Sequence, residues 1–329
     1  MSKKIYRTAI IGLGAVGKRM LTNLFSHPRF EPIAGYDLSS DSLDNFDLPD
    51  GSFKFVDDIK DLYETGGIDL LYISTPPKFH AEAVYKGLKN KWNIFCEKPL
   101  GISLSESTQL VRIIEQYKVF QGVNFVFSGA PSMHAAKKQL AAGVIGDLKG
   151  AEFIMKFANW PRPWQAHAAW LGEREQGGML REVGSHYAYL SQEIFGKLKL
   201  IPSQIIEFPQ KGLAETLFMG QWESSYGSIT LNARVGGHRQ DMVRYRILGS
   251  EGCLVFDNWY QLYLEKPDGW TPLLDSESSQ PIRAYMGQLD QLALQLDDGH
   301  KRLASFSDAL EVQELIESAL RQKKRSSQW

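Results

Sequence analysis

The sequence predicts an α/β chain in two parts: a doubly wound parallel sheet over residues 1–127, then an α+β region with a large open, mostly antiparallel sheet over 128–329. Three observations carry this. Up to about residue 127, short apolar runs alternate with helical patterns, as a parallel sheet covered on both faces requires. A glycine-rich turn stands between the first run and the first helix. Beyond residue 128, strand-like runs follow one another with few helices between them.

In order, Ile5 to Ile11 reads as a buried strand and Ala15 to Phe25 as a helix ended near His27-Pro28. Glu31 to Tyr36 is a second strand. Asp69 to Ser74 is a third, closed by Thr75-Pro76-Pro77. Phe79 to Leu88 is helical, with Ala81, Val84, Tyr85 and Leu88 on one face. Asn93 to Cys96 is a short strand, Ser105 to Tyr117 a helix, and Phe120 to Phe127 a further strand. In the second part, helices are expected over Ser132 to Ala142 and from Gly177-Gly178 to about Phe195. Strands are expected over Ala151–Ala158, Leu213–Gln221, Ser228–Val235, Val243–Leu248 and Cys253–Phe256. Ile229, Leu231, Ala233 and Val235 alternate as in a sheet with one open face. The final helix, 305–322, starts at a Ser305–Asp308 capping box, and the basic run from Arg321 to Arg325 reads as a solvated tail.

Composition narrows the function classes. The chain has 329 residues, 43% hydrophobic, with 37 basic and 38 acidic side chains and a net charge of −1. That balance lacks the electrostatic footprint of a nucleic-acid or anionic-membrane binder. Two cysteines, Cys96 and Cys253, make no disulfide framework. The start, Met1-Ser2-Lys3-Lys4, is followed by too short an apolar run for a signal peptide, and no run reaches the length of a membrane span. The expected location is the cytoplasm.

Gly12-Leu13-Gly14-Ala15-Val16-Gly17 matches G-x-G-x-x-G after a strand and at the opening of a helix, and Asp37 ends the next strand. This context marks a dinucleotide site. Gly12 permits the tight turn, Gly14 lets the backbone approach a pyrophosphate on the helix N-terminus, and Gly17 lets helix and strand pack closely. Asp37 can accept from a ribose hydroxyl pair and would repel a 2′-phosphate, which favours NAD over NADP. Ser74, Thr75 and Pro76 stand at the carboxyl end of a sheet strand, where such folds bind ligand. His80 reads as a helix-start residue and not as a catalyst.

Two further segments can carry chemistry. Glu97-Lys98-Pro99 ends a strand on the same edge, and a lysine there would point toward the nicotinamide; the same spacing is compatible with a surface ion pair. In Gly177 to His186, Glu182 and His186 lie four apart on one helix face. That is either an orienting carboxylate with an acid/base imidazole or a structural helix pair. A metal would need a third ligand, and no His/Cys cluster offers one beside His167 and His186, so no metal is expected. Trp160-Pro161-Arg162-Pro163-Trp164 through His167 and Trp170 is aromatic and basic: sugar-packing faces with a donor to hydroxyls, or a rigid lid.

In this order the motifs resemble the glucose–fructose oxidoreductase and inositol dehydrogenase (Gfo/Idh/MocA) family over nearly the whole chain. The markers are Gly12 to Gly17, Ser74-Thr75-Pro76-Pro77, Glu97-Lys98-Pro99-Leu100, Gly122-Val123-Asn124-Phe125, Gly143 to Gly146, Gly177 to His186 and Ser307-Asp308-Ala309-Leu310. The resemblance implies a Rossmann domain followed by a substrate domain whose open sheet makes dimer or tetramer contacts. It implies Lys98 at the reacting centre and His186 as the acid/base, with Glu182 where the family usually has Asp. It implies cofactor contacts from the glycine loop with Ala15 and Val16, and from Asp37, Ser74, Thr75, Pro76, His80, Glu97 and Lys98. Asn124, Trp160, Arg162 and Tyr189 are the expected substrate contacts; Tyr189 stands where the family often has a second Asp. Arg181 is unusual there and either brings positive charge to the pocket or faces solvent. The activity implied is hydride transfer between nicotinamide and a secondary alcohol or ketone of a sugar, cyclitol or polyol. An NAD-dependent redox-neutral glycosidase and a non-enzymatic NAD sensor are the alternatives.

Overall fold

The structure, a computed structural model, describes residues 3–39, 46, 48, 53–237 and 240–321. The chain divides into two compact units: residues up to Ala130 with Pro281–Leu310, and Pro131–Gln280 with the chain from Glu311. Among the described residues no helix is long and apolar enough to cross a membrane. The basic tail beyond Arg321 lies outside the described residues.

In the first unit, β1 (Tyr6–Ile11), α1 (Ala15–Ser26), β2 (Phe30–Tyr36), β3 (Lys54–Phe55), α2 (Ile59–Glu64), β4 (Leu70–Ile73), α3 (His80–Lys89), β5 (Asn93–Cys96), α4 (Leu104–Ile114) and β6 (Gln121–Val123) alternate along the chain. The strands form one parallel sheet in the order β3-β2-β1-β4-β5-β6. Every residue of β4 is buried, because helices cover both faces. Ile10, Leu21, Leu71, Val84, Ile94 and Leu110 are wholly excluded from water.

Two expectations need correction here. The strand expected over Phe120–Phe127 ends at Val123, and Val126–Gly129 coils into a 3₁₀ turn. The long-range partner of that turn explains why. Gln288 donates to Phe125 O and to Ser128 Oγ, at 3.1 Å each, so these polar groups face a helix instead of a neighbouring strand. That helix is the second correction. Residues 281–310, expected in the second domain, stand with the first unit. Arg29 makes a two-pronged pair with Asp297 (2.7 and 2.9 Å), Tyr6 donates to the same carboxylate, and Arg19 reaches Tyr285. The segment holding Tyr285, Gln288 and Asp297 is an 18-residue helix, Pro281–Asp298, unassigned from sequence.

The second unit opens with α5 (Pro131–Ala141) and β7 (Leu148–Phe157), then α6 (Ser185–Phe195). The strands β8 (Lys199–Leu200), β9 (Ile205–Glu207), β10 (Leu217–Ser224), β11 (Gly227–Val235), β12 (Met242–Gly249), β13 (Cys253–Asp257), β14 (Gln261–Lys266) and β15 (Gly269–Pro272) follow. The sheet order is β15-β14-β13-β12-β7-β11-β10-β8, with β9 on β10. All neighbours are antiparallel except β7 and β11. Its strands alternate: Ile229, Leu231 and Ala233 are buried while Thr230, Asn232 and Arg234 are exposed. That is the signature of a sheet with one packed and one open face. Phe153, Trp222, Tyr245 and Phe256 fill the packed side. In chain order α7 is Pro281–Asp298 and α8 is Phe306–Leu320. At the start of α8, Ser305 and Asp308 make the expected capping box, Ser305 N–H donating to Asp308 Oδ2 (2.7 Å) and Asp308 N–H to Ser305 Oγ (3.2 Å).

Candidate active site

Parallel register lines up the strand ends of the first unit. Ile11 pairs with Tyr36 and Ile73, Ile73 with Cys96, and Cys96 with Val123. The next residue along each strand is Gly12, Asp37, Ser74, Glu97 or Asn124, so these five stand along one carboxyl edge of the sheet. Open α/β sheets bind ligands at that edge, where the strand order reverses; here it reverses beside β1.

The glycine loop is built for a close ligand. Gly12 has φ +91°, and a Cβ on it would come within 2.6 Å of the Ser74–Thr75 backbone. A Cβ on Gly17 would lie 2.0 Å from Gly12 O. Gly14, by contrast, faces open space. It precedes α1, whose N-terminus has neither a side-chain cap nor an acidic residue in its first turn, the turn of half-buried Ala15 and Val16. Unpaired N–H groups and the positive end of the helix dipole are therefore offered to an anion. The buried Thr75 Oγ1 also has no hydrogen-bond partner. These residues fit a dinucleotide's pyrophosphate and ribose.

Side chains tie the loops together. Asp37 accepts from Leu13 N–H (2.6 Å) and Ser39 N–H (3.0 Å), which braces the glycine loop and leaves each oxygen a further lone pair. Ser74 Oγ donates to Gly12 O (2.7 Å). Pro76 leads into the short turn Pro77–Phe79. His80 is wholly buried, with Nδ1 2.8 Å from Pro99 O and Nε2 2.8 Å from Thr75 O. Burial pulls its pKa below the usual value. Both ring nitrogens face the protein's own backbone, so His80 clamps the Thr75 loop to the Lys98-Pro99 loop. The Lys98–Pro99 peptide is cis, and Lys98 is half-buried.

Glu97, next to Lys98 in the chain, belongs with Asn124 to a polar cluster whose third member, Tyr72, the sequence reading missed. Glu97 Oε1 accepts from Tyr72 OH and from Asn124 Nδ2, at 2.5 Å each, and Asn124 Nδ2 also stands 3.2 Å from Tyr72 OH. Burial, and then the Glu97 charge, push the Tyr72 pKa well above its usual value, so Tyr72 remains a donor. The Nδ2 group of Asn124, a residue expected at the substrate, is spent on this cluster, while its buried Oδ1 has no hydrogen-bond partner. Tyr72 interrupts an otherwise apolar strand, LLYI, and that was the available signal.

In the second unit, Gly177-Gly178 opens the helical segment. Gly178 has φ +105°, and a Cβ there would lie 2.3 Å from Glu215 Oε2. Glu215, also missed from sequence, is buried and accepts from Leu180 N–H (2.8 Å) through Oε1. Burial raises its pKa to about 7. The expected continuous α-helix begins instead as a π-helical turn, Leu180–Gly184, before α6; such turns are frequent at functional sites. Arg181 neither enters a pocket nor faces solvent. It pairs with Glu317 at 2.6 and 2.9 Å and donates to Arg174 O and Gly177 O. It is a staple for the turn.

His186 lies in the first turn of α6, 5% exposed, its ring in a T-shaped contact with that of Trp259 at 5.6 Å between centroids. Tyr189, one turn on, is buried. Glu182 precedes His186 by four residues; its Oε1 accepts from Gln165 Nε2 (3.2 Å) and lies 4.0 Å from Arg162. Arg162 is buried, bonds Gln165 Oε1 through Nε (2.8 Å), and lies over the rings of Phe157, Trp160 and Trp164. Trp160 Nε1 donates to Leu171 O (2.9 Å). The aromatic segment therefore cages a guanidinium and delivers it, through Gln165, to Glu182.

Residues 6–125 match the family described as "Oxidoreductase family, NAD-binding Rossmann fold", and residues 133–255 match the "GFO/IDH/MocA C-terminal domain". The chain is 22% identical over 321 residues to the rhizopine catabolism protein MocA of Rhizobium meliloti, covering 95% of this chain and 94% of that protein. It is 31% identical over 141 residues to the scyllo-inositol 2-dehydrogenase (NAD(+)) of Bacillus subtilis (strain 168), covering 43% and 41% respectively. A levoglucosan dehydrogenase, solved with NADH and L-sorbose, shares the fold with a TM-score of 0.82 at 17% identity, over 96% of this chain and 97% of that one.

Proposed function

The chain belongs to the Gfo/Idh/MocA oxidoreductase family and is an NAD(P)-dependent oxidoreductase of CH–OH groups; on that premise we propose that it transfers hydride between NAD and a secondary alcohol or ketone of a sugar, cyclitol or related polyol. The observation that carries this reading is the shared carboxyl edge. Lys98 follows β5 in a loop clamped by His80 to the loop that follows β4, beside the open N-terminus of α1.

The bound nicotinamide supplies the hydride acceptor, or the donor in the reverse direction. His186 takes the proton of the reacting hydroxyl. The Lys98 ammonium donates to that oxygen and stabilises its developing negative charge. Glu182, held by Gln165, shares a helix face with His186 and favours the protonated imidazole. Asp37 accepts from the adenosine ribose. A sugar or polyol suits a unit rich in aromatic faces near His186, since such faces pack on C–H surfaces. The second unit's open sheet face is the proposed surface for a homodimer or homotetramer.

The test is nicotinamide absorbance with purified protein, NAD or NADP, and a panel of sugars, cyclitols, polyols and their ketones. A signal restricted to one stereochemical subset supports the reading. Binding of NAD with silence across the panel in both directions overturns it. Asp37→Asn keeps an acceptor for Leu13 N–H and removes the charge. It is expected to weaken NAD and to bring NADP binding closer to NAD binding, measured by titration of both; an unchanged preference would remove Asp37 from cofactor selection.

A further inference from the structure

Residues 258–260 join β13 to β14 by a turn that is unusual for its sequence. Asn258 has φ +43° and Trp259 φ +75°. Tyr260 N–H donates to Asn258 O at 3.0 Å, an i→i+2 bond that closes a three-residue turn centred on Trp259. With positive φ this is the rare and strained form of the γ-turn. Asn tolerates such backbone; a bulky tryptophan does not, and Asn-Gly is the pair that hairpins favour. Asn258 N–H donates to Val243 O (3.0 Å), which ties the turn to β12. A strained residue persists only where its surroundings over-determine it, and such residues cluster at functional sites.

The surroundings are specific. The Trp259 and His186 rings meet in a T-shaped contact, at 5.6 Å and 72°. It also contacts Tyr187 at 5.5 Å, and Tyr187 stacks on Phe153 at 4.3 Å. The indole is thus backed by the buried core of the second unit, and its T-shaped contact is with the imidazole proposed as the acid/base.

We propose that Trp259 is a positioning residue for His186: the strained turn drives the indole against the imidazole, fixes the ring's rotation and limits its hydration. This rests on the reading of His186 as acid/base. Fixing the ring holds one nitrogen toward the reacting hydroxyl, so Trp259 acts on turnover and on the pH profile and leaves NAD binding alone.

Trp259→Gly relieves the backbone and removes the wall. The expected result is a kcat lower by about tenfold or more with KM for NAD unchanged, and a displaced pH–rate profile. Trp259→Phe, which keeps an aromatic wall, restores most of kcat. Wild-type kcat and pH profile in Trp259→Gly would overturn the proposal, whereas full activity in His186→Ala would overturn the reading beneath it. A second measurement needs no substrate. A protonated imidazole quenches a neighbouring indole. The rings in contact with the indole include His186, Tyr187 and Tyr260, and Asp257, two residues earlier in the chain, is paired with Arg244 at 2.8 Å. Of these residue types, only histidine ordinarily titrates between pH 5 and 8. The Trp259 share of the emission, taken as wild type minus Trp259→Phe among the eight tryptophans, should rise with pH over that range, and the rise should be missing from the same difference measured in the His186→Gln background. A Trp259 share that shows no rise, or whose rise survives His186→Gln, refutes the contact, and this arm decides even where Trp259→Gly fails to fold.

Discussion

His186→Ala is expected to lower turnover by at least about 100-fold while NAD binding, read by titration, stays within a factor of two or so of wild type. The size follows from the role: a positioned base contributes about 10²–10⁴-fold. The sparing of NAD follows from placement, because the glycine loop, Asp37 and the Thr75 loop all belong to the first unit and His186 to the second. Lys98→Met keeps the length of the side chain and removes the ammonium. It should cost about 10²–10³-fold, the usual loss for one donor to a developing oxyanion. The thermal midpoint of Lys98→Met should match wild type, since Lys98 is only half-buried, whereas His186 is buried and His186→Ala also removes packing against Trp259. A His186→Ala enzyme with near-native turnover would end the acid/base assignment, and a fully active Lys98→Met would end the electrophilic one.

Glu215 should make the protein less stable as pH rises from about 5 to about 8, and Glu215→Gln should abolish that slope. The carboxyl is buried, and burial lifts its pKa from 4.5 to about 7 against the opposing pull of Leu180 N–H and the Arg181 charge. The unfolded chain releases this proton near 4.5 and the folded chain only near 7. Between the two values the native state holds a proton that the unfolded state has lost, so stability falls with rising pH across that window. The full effect is about 3 kcal/mol, reached above pH 7. Stability of both proteins, measured by denaturant titration at pH 5, 6, 7 and 8, checks this. Parallel curves for wild type and Glu215→Gln would refute it. The structural reason lies in the Gly178 turn, which presses against Oε2, an atom with no hydrogen-bond partner.

How legible each feature was depended on the range of the contacts behind it. Alternation of period 2 and helical period are local, so β1, α1, β4, β5, β11 and β12 fall where their patterns put them, and the capping box of α8 forms between neighbours in sequence. Phe125–Phe127 misled because an apolar run looks alike in a strand and in a buried turn. The deciding partner, Gln288, is 163 residues away. The helix Pro281–Asp298 repeats apolar residues at Ala284, Tyr285, Leu289, Leu292 and Ala293, a readable signal left unused.

The sequence by itself determined the fold class, the glycine loop with Asp37, and the lysine and histidine on which the chemistry is proposed to rest. Each is a short motif whose meaning lies in residue type, backbone freedom and spacing. Only the tertiary structure decided what surrounds them: Tyr72 and Asn124 behind Glu97, His80 as a clamp of two loops, Glu215 under the Gly178 turn and bonded to Leu180, 35 residues before it in the chain, Arg181 as a staple, and Trp259 against His186. The physical reason is the same throughout. A buried polar group must find a partner, and a ring must find a surface. Which partner lies within reach is set by strand register and helix packing between segments far apart in sequence.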